Sequence, residues 1–428
     1  MTGFDLLYLA LAPVALPFLG YRALTRGKYR ESAPAMLGCH LDQEDRAPWK
    51  NGSVWVHAVS VGEVVAARAM LPLLREKFPG IPLLITTVTE TGQANARSLV
   101  PEFADAARFY PADFSWVVKR FVDVYRPRVF VVMETELWPN AFRIASGAGA
   151  RIFILNGRIS DKSFPSYRRV RSLLRDPLSR VTAFCMQTEQ DADRIATIRG
   201  SREHVFVTGN CKFDVDPPAI NEERKAQLLR ECGIAPGAPV IVAGSTHPGE
   251  EDIVLRAFDE ISRERPDCVL LLVPRHPERF DAVWGLLRAR GGGQVRRMSD
   301  GKAGGNVSPR IVLVDRMGIL AELYGVASIA VVAGSLVRGI GGHNLLEAAV
   351  HGVPVVYGPY MEKQPDMTRI LDAANGGTAV EPPALGGILA GLLHDNAEAR
   401  RRGELGREAV LRNRGSARKN IDIISRFQ

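Results

Sequence analysis

Short apolar runs rich in valine, isoleucine and leucine recur along this chain, and most are continuous rather than alternating. In the first half they are Val54–Val59, Leu83–Thr89, Val129–Glu134, Ile152–Asn156, Ala183–Gln187 and Val205–Thr208. The second half has Val240–Gly244, Val269–Val273, Ile311–Val314, Ile329–Ala333 and Val353–Tyr357. Continuous runs of this length predict parallel strands covered on both faces. Helical periodicity fills several gaps, over Val64–Phe78, Glu189–Ile198, Glu222–Glu231, Glu251–Arg263, Leu345–His351 and Asn396–Asn413. The strand–helix rhythm occurs twice, which predicts an α/β protein of two doubly wound domains.

The stretch DVDPPAIN, Asp214–Asn221, places two prolines between a strand and a helix and is the candidate linker. It divides a first α/β domain, 31–213, from a second, 214–428, with the last helix left open as one that packs back on the first. Gly291–Gly305, glycine-rich and polar, is expected to be a mobile surface loop. Ligands of open parallel sheets bind outside the carboxyl ends of the strands. The expected site is therefore a cleft faced by both domains, lined by residues that directly follow strands.

The N-terminus breaks the pattern. From Leu6 to Tyr21 no residue is charged, and Arg22, Arg26, Lys28 and Arg30 follow. Asp5 ahead of this stretch argues against a cleavable signal peptide, which would carry basic residues there. The stretch is short for a full span and holds Pro13 and Pro17. A marginal span, a helix lying in the interface, and a buried first helix of the globular body all remain open. Residues 1–30 are expected to be a membrane anchor with a basic flank, and the positive-inside rule puts the rest of the chain on the cytoplasmic side.

Composition narrows the partners. The chain has 428 residues, 46% hydrophobic and 24% charged, enough for sizeable cores. Net charge is +8, which suits nucleic acid, an anionic membrane surface or an acidic substrate. With no zinc-finger or RNA-recognition signature, nucleic acid is the weakest of the three. Cys39, Cys185, Cys211, Cys232 and Cys268 lie far apart with no CxxC pair, as expected of free thiols in a reducing compartment.

Chemistry concentrates at the strand ends. Ser60-Val61-Gly62-Glu63 follows the first strand, and a carboxylate there can take a proton from a hydroxyl, or simply complement a helix dipole that keeps it ionised. Met133 to Asn140, METELWPN, carries Glu134 and Glu136 beside Trp138 at another strand end. Such a pair can do acid/base work, bind sugar hydroxyls, hold a metal or cap a helix. Lys212 in Asn210–Asp214 can neutralise an anion. In the second half, Gly244–His247, Pro274–Arg279 and Gly339–Asn344 each follow a strand and together suit a phosphate. None matches a P-loop or a dinucleotide fingerprint. Glu347, one turn beyond Asn344, can accept from ribose hydroxyls.

In this order, HAVSVGE, TTVTETG, METELWPN, GNCKFD, GSTHPGEE, PRHPERF, RMGILAELYG and GGHNLLEA resemble the Kdo (3-deoxy-manno-octulosonic acid) transferases nearly end to end. The resemblance implies the GT-B fold class: two Rossmann-like domains facing a cleft, behind an N-terminal membrane-anchor helix. It implies an inverting, metal-independent glycosyltransferase with no cofactor, whose co-substrate is CMP-Kdo. Its acceptor would be a phosphorylated lipid A precursor at the cytoplasmic face of the inner membrane, in lipopolysaccharide biosynthesis. Matched motif by motif, Glu63 would be the general base, and Glu134 and Lys212 would assist, with the choice of Glu134 over Glu136 open. Pro274, Arg275, Met317, Gly318, Ile319, Asn344, Leu345, Leu346 and Glu347 would hold CMP. Tyr360–Gln364, YMEKQ, and Ala348 depart from the family pattern, which bears on the shape of the nucleotide pocket rather than the chemistry. A related enzyme using a UDP-sugar and a non-catalytic nucleotide-binding protein are the alternatives.

Overall fold

The computed structural model describes residues 1–13, 32–39, 41–214, 220–290, 294–300 and 309–427. The chain forms two compact units, Met1–Val215 with Asn413–Gln428, and Asp216–Arg412. Each is built on a wholly parallel sheet of seven strands.

In the first unit the strands are β1 (Ser53–His57), β2 (Leu83–Thr87), β3 (Ala106–Phe109), β4 (Pro127–Met133), β5 (Arg151–Gly157), β6 (Val181–Met186) and β7 (Val205–Val207). They lie in the order β3-β2-β1-β4-β5-β6-β7. Successive side chains go to opposite faces, and both faces are covered. Val54, Val56, Val129 and Val131 join one buried cluster, whereas Trp55, Phe130, Ile152 and Ile154 join the other. That is why the runs read as continuous. Trp55 stacks on Phe130 with centroids 3.9 Å apart and donates its indole N–H to Thr86 Oγ1 at 2.8 Å.

In the second unit β8 (Val240–Thr246), β9 (Val269–Pro274), β10 (Val295–Arg297), β11 (Ile311–Leu313), β12 (Ile329–Val332), β13 (Val355–Tyr357) and β14 (Gly377–Ala379) lie in the order β10-β11-β9-β8-β12-β13-β14. Gly244 in β8 is required by packing. A Cβ there would come within 2.1 Å of the Tyr324 hydroxyl and 2.8 Å of Leu320.

Two expectations are corrected. The single helix over Val64–Phe78 is two, Val61–Arg68 and Leu71–Lys77, because Pro72 in the first turn of the second has no N–H to continue the first. The loop expected over 291–305 contains β10, paired in parallel with β11, and residues 291–293 and 301–308 lie outside the described residues. The stretch Asp214–Asn221 holds the boundary between the two units, and 215–219 lie outside the described residues; Asp214 ends a 3-10 turn and accepts from the backbone N–H of Ala417 at 2.6 Å. The terminal helix Ser416–Arg426 buries Ile421, Ile423 and Ile424 in the valine-rich cluster of the first unit.

The anchor helix finds no support among the described residues, where no helix is long and apolar enough to cross a membrane. Residues 3–13 are helical, and 14–31 lie outside the described residues. Leu6, Leu7, Leu9 and Leu11 are exposed, but Asp5 is fully buried. Its carboxylate accepts from Ser115 N, Ser115 Oγ, Thr2 N and Asn140 Nδ2, and Tyr8 donates to Asp113 Oδ2 at 2.8 Å. The acid that spoke against a signal peptide is thus a buried tie to the first unit.

Candidate active site

In the first sheet β1 and β4 are neighbours, and the strand order reverses between them, so their carboxyl ends flank the topological switch point. Ser60, extended at φ −126°, opens the Val61–Arg68 helix, and Glu63 falls in its first turn. The side chain folds back onto the loop, accepting from Val59 N at 2.8 Å and Ser60 Oγ at 3.0 Å. It is only 6% exposed. Burial pushes this carboxyl up to about 8, and the nearby charges of Glu134 and Glu136 push the same way against its two hydrogen bonds. The expectation that the helix dipole keeps Glu63 ionised is therefore overturned, because desolvation and like charge outweigh a first-turn dipole.

Glu134 sits across the switch point, at the end of β4. Its backbone is left-handed (φ +56°), while its N–H still pairs with Leu155 O at 2.9 Å. A side chain there costs about 1–2 kcal/mol, so the turn is held by its surroundings. Thr135 supplies part of that hold, donating to Arg158 O at 2.6 Å and accepting from Arg158 N at 3.0 Å. Lys212 Nζ lies 3.6 Å from Glu134 Oε1. It also borders the turn of Glu63, since a Cβ on Gly62 would be 4.0 Å from Lys212 Nζ. The Lys212 turn is fixed by Asn156 Oδ1, which accepts from Cys211 N at 2.9 Å, and by Asn210 Oδ1, which accepts from Lys212 N at 3.0 Å. The three residues expected to do chemistry are thus brought together. Glu136 joins them, pushed up to about 7 by burial and then by Glu134.

Beneath this turn lies an aromatic floor. His57 at the end of β1 stacks on Tyr110 with centroids 3.8 Å apart, and Trp138 lies 4.9 Å from Tyr110. Full burial pushes His57 down to about 3, so the ring is neutral, with Nδ1 3.2 Å from Thr86 O. Asp113 holds the start of the next helix, Pro139–Gly147, accepting from Asn140 N at 3.1 Å and Ala141 N at 2.8 Å. Burial raises Asp113 to about 6. Sequence reasoning missed Asp113 and the role of Asp5; the only signal was a lone acid next to an apolar stretch.

The second sheet repeats the plan, with its switch point between β8 and β12. Glu250, fully buried, crosses it, its carboxylate accepting from His247 N at 2.9 Å, Gly334 N at 2.8 Å and Leu336 N at 2.9 Å. The Pro274–Arg279 loop is tied to the same place. Arg275 N donates to Thr246 O at 3.0 Å, and Arg279 pairs with buried Glu251 at 2.5 Å. His343 reaches His247, Nε2 to Nε2, at 2.8 Å. Glu347 takes a hydrogen bond from Asn344 Nδ2 at 3.2 Å; burial raises its carboxyl, against the pull of Asn344 and of the Arg275 charge. The three loops singled out from the sequence therefore converge.

Not every expected nucleotide contact has the form expected of it. The helix after Asn344 spans only Leu346–Ala349, and Asn344 Oδ1 already accepts from Leu346 N at 3.0 Å, so it offers no dipole seat for a phosphate. Leu345 and Leu346 are buried core residues. Pro274 is a buried end of β9 and Arg275 is exposed beside it. Met317 is exposed, Gly318 is left-handed (φ +85°) with open space around it, and Ile319 is buried at the head of Leu320–Tyr324. Among the described residues, no group of three or more His, Cys, Asp or Glu side chains could hold a metal ion.

Two parallel-sheet units, each with polar residues gathered at its switch point, define the chain as a two-domain α/β protein with two Rossmann-like units. Solved structures of that fold are similar to it: a glycosyltransferase from Rickettsia africae (TM-score 0.56, 15% identity, 87% of this chain and 98% of that one) and the UDP-GlcNAc 2-epimerase of Neisseria meningitidis (TM-score 0.59, 13% identity, 87% and 100%). These likenesses show fold alone, since a transferase and an epimerase share it. The family model described as 3-Deoxy-D-manno-octulosonic-acid transferase (kdotransferase) matches residues 28–215. The 3-deoxy-D-manno-octulosonic acid transferase of Haemophilus influenzae is 31% identical over 98% of this chain and 97% of its own, and that of Bordetella pertussis 32% over 97% and 96%. The chain belongs to the 3-deoxy-D-manno-octulosonic acid transferase family.

Proposed function

We propose that this chain is an inverting glycosyltransferase that moves Kdo from CMP-Kdo to a hydroxyl of a phosphorylated lipid A precursor. The observation that carries the reading is the cluster of Glu63, Glu134, Lys212 and Glu136 at the switch point of the first sheet. A dry carboxylate with a raised pKa is a strong base, suited to taking the proton of a sugar hydroxyl. As that hydroxyl oxygen bonds the anomeric carbon, the carbon–oxygen bond to the phosphate breaks and CMP leaves with the electron pair. Lys212 beside Glu134 would steady the acceptor and the charge moving through the site. In the second unit, Arg275 would meet the phosphate, and Asn344 and Glu347 would meet the ribose. Backbone around Pro274, Met317–Ile319 and Leu345–Leu346 would frame the base.

For localisation we propose the cytoplasmic face of the inner membrane. The supporting features are the exposed Leu6, Leu7, Leu9 and Leu11, and the basic helical stretch 164–179, where Val170 and Leu173 are exposed among Arg168, Arg169, Arg171 and Arg175. Each cation near an anionic surface contributes about 1 kcal/mol.

The test is mass spectrometry of a purified lipid A precursor incubated with the protein and CMP-Kdo, beside thermal shifts with CMP and UDP. Acceptor carrying added Kdo, with stabilisation by CMP, is expected. An unchanged acceptor with stabilisation by UDP alone would refute the reading.

A further inference from the structure

His247 follows β8, and His343 lies in the loop after β12. Their Nε2 atoms are 2.8 Å apart, with ring planes 12° from parallel and centroids at 5.1 Å. A nitrogen-to-nitrogen hydrogen bond of this kind needs one ring to carry a proton on Nε2 and the other to present a lone pair. In the neutral pair one outward Nδ1 therefore bears hydrogen and the other does not. A single added proton goes to the bare Nδ1 and leaves the Nε2 bond intact, so both outward nitrogens become donors. A second would set two N–H groups against each other. The pair has room for one proton.

Its surroundings are cationic. His276 lies 5.4 Å from His247, centroid to centroid. After burial, the charges of His276, Arg279 and Arg275 press His247 toward neutrality, and only Glu251 opposes them. Burial, then His247, Arg275, Lys363 and His276, push His343 down to about 4. Glu250 also faces this loop, but its carboxylate is occupied by the backbone N–H groups of His247, Gly334 and Leu336. The His343 ring is set by a close approach that only glycine allows: a Cβ on Gly334 would lie 2.5 Å from His343 Cδ2. The pair thus consists of two neutral imidazoles fixed among cations, a place that resists a proton until an anion arrives.

We propose that the His247–His343 pair seats the phosphate of the donor nucleotide and takes up one proton as that anion binds. This rests on the reading of the second unit as the donor-nucleotide unit. The phosphodiester of a CMP-sugar carries one negative charge and the CMP released carries two, because the phosphate keeps the electron pair of the broken carbon–oxygen bond. The proton taken up on the bare Nδ1 at binding stays in place as the bond breaks and faces that added charge, so the pair favours departure of the leaving group.

Calorimetry of CMP binding to the full chain, near pH 7, in buffers of low and high ionisation enthalpy tests this; the second ionisation of a phosphate monoester lies near about 6 and adds little. The expected result is an uptake approaching one proton per CMP, with affinity falling up to tenfold per pH unit above neutrality. Cytidine should bind without uptake. His343→Gln and, separately, His247→Gln should weaken CMP and abolish the buffer dependence, and the wild-type titration stands without them should either fail to fold. A wild-type enthalpy independent of buffer overturns the inference while leaving the family reading intact, as does uptake with free Kdo but not with CMP. Absence of any CMP binding overturns the donor-site reading and the inference together.

Discussion

Replacing Glu63 by glutamine should remove activity and yet stabilise the first unit at alkaline pH. The Glu63 carboxyl is raised from 4.5 to about 8. A raised carboxyl contributes stability that is fully present below the unfolded value and is lost as pH rises through the folded value, so the window runs from 4.5 to about 8. At about 1.36 kcal/mol per unit, the change between pH 5 and pH 9 is at most about 4 kcal/mol, and about 2–4 kcal/mol after local relaxation. Glu63→Gln does not titrate and keeps a similar shape. The variant should melt close to wild type near pH 5 and clearly above it near pH 9, by several degrees at roughly 2–4 °C per kcal/mol. Scanning calorimetry across pH reads this directly. Transfer activity should fall about 10²–10⁴-fold, the ordinary contribution of a general base. In the wild type the rate should climb roughly fivefold from pH 7 to pH 8 as the ionised fraction rises from about a tenth to about a half. A melting difference that does not change with pH would refute the desolvated carboxylate, and turnover within tenfold of wild type would remove Glu63 from the base role.

Other consequences follow from named contacts. Lys212→Met leaves the Glu134 charge without its partner 3.6 Å away, so the acidic limb of the pH–rate profile should move to higher pH while CMP affinity stays unchanged. Asp5→Ala deprives Ser115, Thr2 and Asn140 of a buried acceptor and should cost about 2–4 kcal/mol, seen as a lower melting temperature of the first unit. Gly342→Ala forces a Cβ to within 2.3 Å of Met361 Sδ at φ +84° and should cost about 1–3 kcal/mol, with weaker CMP binding because the His343 loop must shift.

Ten interior strands were legible because each crosses a sheet covered on both faces and must be apolar along its length, and the edge strand β7 was legible because VFV is apolar as well. The strands not predicted, β3, β10 and β14, are edge strands reading AARF, VRR and GTA. An edge has one neighbour and asks less of its side chains, so short polar runs suffice there. Helices such as Ser115–Tyr125 and Phe280–Ala289 went unread beside stronger strand signals.

What the sequence by itself determined is the alternation of strands and helices, the residues placed at strand ends, and the family those strings belong to. Local chemistry suffices for these, since strand-end residues are chosen for turns and ligands. Only the tertiary structure decided the electrostatics. Glu63 looks like an ordinary first-turn acid until β1 and β4 become neighbours and bring Glu134 beside it. Lys212 reaches Glu134 only because β5 and the terminal helix fix its turn, and Asp5 is a buried tie only because Ser115 and Asn140 close around it. Burial and charge proximity are properties of residues far apart in sequence, and they exist only once the chain has folded.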